Sequence, residues 1–272
     1  MAAQVRIAIA GALGKMGRSL IKVGAADPQV KLVGAWERPE NPLLGKDSGE
    51  LAGVGRLEVP LAGSPLEPLS KAQVAIDFTA PAATLKVLPL ALQLKRPLVI
   101  GTTGFEPKEL AQMKAAAKKI PIVLSSNYSV GMNLLWKALD MVASVTKDDY
   151  DIEVIEAHHH HKKDSPSGTA MTTAEVLAKA VGRDLPTWAR YGRAKGNIGA
   201  RDYREIGLHT VRGGDIVGDH TVLFAGAGER LEFKHQAHSR DNFALGAVRA
   251  AKWLVLKKKK AGLYSMSDVL GF

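Results

Sequence analysis

Short runs of β-branched or apolar residues recur through the first half of the chain: "VRIAIA" (5–10), "VKLVGAW" (30–36), "VAIDFT" (74–79), "PLVIGTTG" (97–104) and "PIVLSSN" (121–127). Helical patterns lie between them, and strands alternating with helices at this spacing predict parallel βαβ units. Each run ends in Gly, Thr, Ser, Asn or a charged residue, where an open parallel sheet keeps its ligand-binding loops. After about Asn127 the pattern changes. "DIEVIEA" (151–157) is followed later by "EIGLHTVR", "DIVGDHTVLFA" and "ERLEFKHQA", the last three separated only by glycine-rich turns. Consecutive strands joined by tight turns predict an antiparallel sheet. From Asp241 the text is helical again, with Asp241 or Asn242 as N-cap, Leu245, Val248, Trp253 and Val255 turned to a core, and Gly262 as a stop. The chain therefore divides into residues 1–127 with 241–272, and an inserted domain over 128–240.

Composition narrows the class. With 272 residues, 46% of them hydrophobic, the chain can fill the cores of two ordinary domains. No run approaches the length of a membrane span, and the opening "MAAQVRIAIAGALGKMG" runs straight into glycines, so a soluble, cytoplasmic protein is expected. There is no cysteine, which removes disulfides, thiolate metal sites and dehydrogenase chemistry through a cysteine thioester. A net charge of +10 suits small polyanionic ligands, and no nucleic-acid-binding motif accompanies it. The run Lys257–Lys260 falls where cations complement a helix C-terminus. Residues 45–55 and 192–205 read as mobile loops.

"VRIAIAGALGKMGRSLIKVGA" is strand, glycine turn, helix. Glycines at 11, 14 and 17 make a variant dinucleotide fingerprint: the turn must be tight, the backbone must approach a pyrophosphate, and the helix must pack on the strand. Glu37 ends the next strand at the distance where an acidic residue meets the adenosine ribose. Arg38 comes directly after it, and a guanidinium there suits a ribose 2′-phosphate, so NADH and NADPH both stay open. The fold class expected is α/β: a Rossmann-like parallel-sheet dinucleotide-binding domain plus an inserted α+β domain with a largely antiparallel sheet.

"HHHHKKDSPSGTA" (158–170) poses a different question, because a histidine run can be a metal site, a solvated loop or an acid–base site. On an extended chain His158 and His160 face one way and His159 and His161 the other, so the four cannot converge on one metal, and no zinc-binding spacing accompanies them. The residues after the run predict a capped helix, with Ser165 or Ser167 as N-cap and Gly182 as stop. Gly168 and Thr169 then offer first-turn N–H groups to an anion. Imidazoles, two ammonium groups and a helix start within a dozen residues describe a site for a carboxylate-bearing substrate with a proton donor beside it.

These residues resemble the 4-hydroxy-tetrahydrodipicolinate reductase (dihydrodipicolinate reductase) family, whose signature "EAHHHHKKDSPSGTA" is similar to. The resemblance runs through "IAGALGKMGR", "IDFT", "VIGTTGF", "SSNYSVGMN", "TVRGGDIVGDHTV" and "GLYSMSDVL", nearly the whole chain. It implies nicotinamide-dependent reduction of a small cyclic dicarboxylate to tetrahydrodipicolinate in the diaminopimelate route to lysine. By position His158 matches the family's proton donor or acceptor and Lys162 its proton donor, while His159, Gly168 and Thr169 match substrate-binding residues. Gly11, Ala12, Leu13, Gly14, Lys15 and Met16 match the pyrophosphate turn, and Glu37 and Arg38 the adenosine-ribose contacts. Gly101, Thr102 and Thr103, with Ser125, Ser126, Asn127 and Tyr128, match the loops around the nicotinamide half. His160 and Lys163 stand where the family varies, and Ala80 stands where some members carry a longer polar residue.

The resemblance also implies a homotetramer formed through the antiparallel domain, hinged near Asn127 and Arg240; from the residues themselves no metal, nucleic acid or membrane partner is expected. A homoserine-type dehydrogenase is the alternative enzyme, against which the histidine–lysine strand argues. A nucleotide-sensing protein of the same fold is the alternative without catalysis.

Overall fold

The computed structural model describes residues 4–272; Met1 to Ala3, the start of the "MAAQVRIAIAGALGKMG" stretch, lie outside the described residues. The chain separates into two compact units, one of residues 1–130 with 240–272 and one of residues 131–239.

In chain order the first unit runs β1 (Val5–Ala10), α1 (Lys15–Ala26), β2 (Val30–Trp36), α2 (Ser48–Ala52), β3 (Leu61–Ala62), α3 (Leu66–Lys71), β4 (Val74–Asp77), α4 (Pro81–Gln93), β5 (Leu98–Ile100), α5 (Pro107–Ala117) and β6 (Pro121–Leu124). The second unit holds α6 (Val130–Thr146), β7 (Asp151–His158), α7 (Gly168–Ala180), α8 (Leu185–Trp188), β8 (Ala189–Tyr191), β9 (Ile206–Arg212), β10 (Gly218–Gly226) and β11 (Glu229–Ala237). The chain then returns to the first unit with α9 (Asp241–Leu256), β12 (Gly262–Tyr264) and α10 (Met266–Leu270).

Seven parallel strands form the first sheet in the order β12-β6-β5-β4-β1-β2-β3. The order reverses between β1 and β4, the point at which an open α/β sheet opens a crevice beyond its strand ends. Both faces of the sheet are covered, which explains the continuous apolar runs: Ile7, Ile9 and Ile76 pack with Ala247, Val248 and Leu254 of α9, while Ala8, Ala75 and Ile100 pack with Leu88 of α4 and Met113 of α5.

The second sheet is mixed, in the order β11-β10-β7-β9-β8. β10 is antiparallel to both β11 and β7, whereas β9 runs parallel to β7 and to β8. The hairpin expected between "EIGLHTVR" and "DIVGDHTVLFA" is not made, because β7 lies between them. The strictly alternating β7 buries Ile152, Val154, Glu156 and His158 on one face, and it takes the centre of the sheet. The apolar part of that face meets Leu139 of α6 and Ala174 and Leu177 of α7.

Smaller expectations also change. α9 starts at Asp241 with Arg240 at the cap position, and Asp241 forms an ion pair with Lys22 at 3.0 Å. Leu245 is 59% exposed and contributes nothing to the core. The helix stops at Leu256, ahead of the lysines: Lys258 turns left-handed (φ 46°), the Lys259 N–H closes onto the Leu254 carbonyl, and Gly262 opens β12. Residues 45–55 are ordered by Asp47, which caps α2 and accepts N–H bonds from Gly49, Glu50, Leu57 and Val59. Over 192–205 the chain is irregular, yet Arg193 and Arg201 tie it to Glu153. No helix among the described residues is long and apolar enough to cross a membrane.

Candidate active site

The nucleotide end is built on the β1–α1 turn. Gly11 adopts φ 59°, and its carbonyl accepts the Gly14 N–H at 3.0 Å, closing the turn. The first backbone bond of α1 runs from Arg18 to Gly14, so the N–H groups of Lys15, Met16 and Gly17 precede the helix ladder and point out of its positive end. Glu37 comes directly after β2, and its Oε1 lies 3.8 Å from the position a Cβ on Gly11 would take. Arg38 is exposed beside it. A turn with glycine at 11 and 14, first-turn N–H groups and a neighbouring carboxylate fit a dinucleotide: pyrophosphate on the turn and ribose hydroxyls on Glu37.

Four residues matched to the cofactor are buried: Ala12, Thr102, Asn127 and Tyr128. Ala12 is buried and its N–H donates to the Trp36 carbonyl at 3.2 Å, so that donor is spent on the sheet. The Tyr128 side chain is 0% exposed and its hydroxyl donates to the carbonyls of Ile100 and Val123, which makes it a brace inside the core. Thr102 is buried, with its hydroxyl 2.9 Å from that of Thr84 and accepting the Thr79 N–H. Leu13 is half-buried at the turn, Thr103 and Ser126 are exposed on their loops, and Ser125 is hydrogen-bonded to the Asn127 carbonyl. Asn127 is buried and holds the Ser129 N–H at 2.8 Å. Gly101 lies so close to the Phe78 ring that a Cβ would sit 2.1 Å from it.

Asp77, at the C-terminal end of β4, was not among the expected residues. It is buried, and burial pushes its carboxyl pKa up against the opposing hydrogen bonds from Thr79, Thr84 and Thr102. Its position as the last residue of an otherwise apolar buried run was the available signal.

In the second unit the histidine run does not continue the strand. β7 ends at His158, and His159 to His161 turn away under the loop after β9: the His159 N–H donates to Ile216 at 2.7 Å, His160 to Gly214 at 3.2 Å, and Gly213 donates back to the His158 carbonyl. Alternation of four histidines across a strand is therefore replaced by one strand histidine and three in a turn, with the His160 and His161 rings 3.8 Å apart. Among the described residues no group of side chains is arranged to hold a metal ion.

His158 is 9% exposed, and its Nδ1 lies 2.5 Å from Glu156 Oε2. Glu156 is 1% exposed; burial raises its pKa, but hydrogen bonds from His158, Arg212 and the Ser167 N–H outweigh that and hold it at about 2. An ionised carboxylate only accepts, so the proton of this pair sits on Nδ1, and Nε2 is the nitrogen left for exchange. Nε2 faces Gly218, where a Cβ would approach to 3.0 Å. His220 stands edge-on to His158 at 5.2 Å; burial, with His158 nearby, lowers its pKa to about 4, so it is a neutral neighbour.

Lys162 is the next of these groups, in the turn, its ammonium 2.9 Å from Asp164. Ser167, after a cis Ser165–Pro166 bond, is the N-cap of α7: its hydroxyl accepts from Ala170 and its carbonyl takes the Met171 N–H. Gly168 and Thr169 precede that first backbone bond, and the space above the Gly168 Cα is open. The strand end, the lysine turn and the helix start thus fall within one segment. The sequence pointed to His158, Lys162, Gly168 and Thr169 in this segment; Glu156, Arg212 and His220, which the structure packs against it, were not among the expected residues.

A parallel sheet with a glycine turn at its first crossover, followed by an inserted unit with its own mixed sheet, is the architecture of a nicotinamide-dependent oxidoreductase of the two-domain class. The sequence pattern described as "Dihydrodipicolinate reductase, N-terminus" matches residues 5–128, and that described as "Dihydrodipicolinate reductase, C-terminus" matches residues 131–270. The chain belongs to the dihydrodipicolinate reductase family. Among solved structures it is similar to a dipicolinate-bound dihydrodipicolinate reductase from Paenisporosarcina sp. TG-14, at 27% identity over 96% of this chain and 97% of that one, with a TM-score of 0.73. The fold is shared with GenD2 from gentamicin A biosynthesis in complex with NAD (14% identity, 99% and 91% covered, TM-score 0.63). It is shared too with a probable dehydrogenase from Thermotoga maritima (11%, 97% and 92%, TM-score 0.62).

Proposed function

We propose that the protein reduces 4-hydroxy-tetrahydrodipicolinate (dihydrodipicolinate) to tetrahydrodipicolinate with NADH or NADPH, in the cytoplasmic diaminopimelate route to lysine. The observation that carries this reading is the segment from His158 to Thr169, which sets an acid–base imidazole, an ammonium group and a helix start in sequence within a dihydrodipicolinate reductase chain.

The reduced nicotinamide, when bound, supplies the hydride. The Gly11–Met16 turn and Glu37 hold the dinucleotide, with Arg38 able to meet a 2′-phosphate. The Gly168 and Thr169 amides receive one substrate carboxylate, and His159 adds a polar contact. Each charge-assisted bond of this kind contributes on the order of 1.5 to 3 kcal/mol away from water. Loss of the 4-hydroxyl as water gives the unsaturated ring of dihydrodipicolinate; hydride addition to that ring leaves an electron-rich enamine, and Lys162 protonates its carbon once the substrate has displaced the ammonium from Asp164. His158 exchanges a proton through Nε2 because Glu156 occupies Nδ1. The working form is a homotetramer assembled through the second unit.

The test measures oxidation of NADH and of NADPH separately, with enzymatically generated substrate. Turnover dependent on that substrate supports the reading. Cofactor binding without turnover would favour a nucleotide-sensing protein instead.

A further inference from the structure

We propose that Glu156 is the positioning residue of this reaction, one carboxylate that fixes the acid–base histidine and the start of the anion-receiving helix in a common frame. The inference rests on the proposed reductase activity and deepens it.

Glu156 is placed by alternation. It shares the inward face of β7 with Ile152 and Val154, at a position that would hold an aliphatic residue if packing alone decided it. Burying an ionised carboxylate is costly unless every lone pair is used, and here they are. Oε2 accepts from His158 Nδ1 at 2.5 Å and from Arg212 at 2.9 Å. Oε1 accepts from the Ser167 N–H at 3.0 Å, from the second arm of Arg212 at 2.9 Å and from Thr210 at 3.2 Å. Arg212 thus meets it as a fork, and its remaining contacts are the Val211 carbonyl at 2.8 Å and the Asp164 carbonyl at 2.6 Å. Asp164 in turn holds Lys162. The groups assigned to proton transfer and to carboxylate recognition are therefore all referred to a single side chain.

The chemical consequence is a fixed tautomer. With Nδ1 donating to Glu156, His158 presents Nε2 and cannot present Nδ1. A neutral amide in the same place can donate as well as accept, which allows the reverse tautomer, removes the anion from both His158 and Ser167, and leaves one of them facing an NH2 group instead of an acceptor.

Glu156→Gln in the full chain tests this. The expected kcat loss is on the order of 100-fold, with NADH affinity unchanged and affinity for pyridine-2,6-dicarboxylate lowered about tenfold. The decisive readout is coupling: in a His158→Gln background, adding Glu156→Gln should cost at most about a tenth of the kcat factor it costs in the wild type, because Glu156 acts on proton transfer mainly through the histidine. Ring-nitrogen NMR of His158 should show Nδ1–H in the wild type and a changed tautomer in Glu156→Gln. Multiplying losses in the double variant, or an unchanged tautomer, would overturn the proposal. If Glu156→Gln does not fold, Glu156→Asp, which keeps the charge but withdraws it, takes its place in the same cycle. A wild type that never turns over defeats the proposed activity, whereas the tautomer measurement on that same protein still decides the role of Glu156.

Discussion

Gly17 sits against Gly11 so closely that a Cβ on Gly17 would lie 2.2 Å from the Gly11 carbonyl oxygen and 2.7 Å from the Ala12 Cα. No side-chain rotation relieves a clash with backbone. Gly17→Ala must push α1 off the turn or deform the turn itself, at about 1 to 3 kcal/mol of overpacking. The expected outcome is a lower unfolding midpoint together with at least a tenfold loss of NADH affinity, read by calorimetry and cofactor-fluorescence titration. An alanine variant with wild-type NADH affinity would remove the turn from the cofactor site.

The proposed function puts acid–base chemistry on the second unit and cofactor binding on the first, so the two should separate in variants. His158→Gln and Lys162→Ala should each lower kcat by about 100-fold or more while leaving NADH affinity intact. Steady-state kinetics paired with equilibrium cofactor titration checks both halves of the statement.

Gly218 offers a subtler probe, since a methyl group there would press on His158 Nε2 at 3.0 Å without touching Glu156. Gly218→Ala should slow turnover and keep the His158–Glu156 bond. A variant as fast as wild type would show that Nε2 is not the exchanging nitrogen.

Stability should fall with acid in two stages. An unfolded chain's histidine takes up its proton near the ordinary value of 6.5, whereas burial keeps His220 neutral down to about 4. Between those values the unfolded state binds the extra proton, so stability drops as pH falls, by on the order of 3 kcal/mol. Glu156 acts lower down: its ordinary value of 4.5 falls to about 2 in the fold, so its contribution is present above 4.5 and lost as pH approaches 2. Denaturant titrations across pH should show the upper stage flattened in His220→Asn and the lower stage flattened in Glu156→Gln.

The proposed function makes cofactor choice depend on adjacent residues of opposite charge. Arg38→Ala should raise the KM for NADPH and spare NADH, and Glu37→Gln should do the reverse, because one meets a phosphate and the other ribose hydroxyls. Parallel kinetics with both cofactors reads the difference.

Much of this architecture is legible in the order of the residues. Strands buried on both faces must be apolar throughout, and a turn under a pyrophosphate must lack side chains, so β1, β2, β4 and the glycines announce themselves. The parallel pairing of β7 with β9 does not, since it joins segments about fifty residues apart that carry no local mark of their partner. Ala12, Thr102 and Tyr128 show a second limit: a motif match cannot separate a residue that touches a ligand from one that holds the loop from inside. Glu156 does leave a trace, an acid in register with Ile152 and Val154 on an otherwise apolar face. That mismatch is outshone by the four histidines beside it.

The last strand of the first sheet, β12, pairs with β6, and α9 packs into the same core, although both come after the whole of the inserted unit in the chain. A ribosome therefore releases residues 131–239 as a finished unit while the nucleotide-binding sheet still lacks an edge and a covering helix. Vectorial synthesis gives the inserted unit the head start, and the first unit can close only when α9 and β12 have emerged behind it.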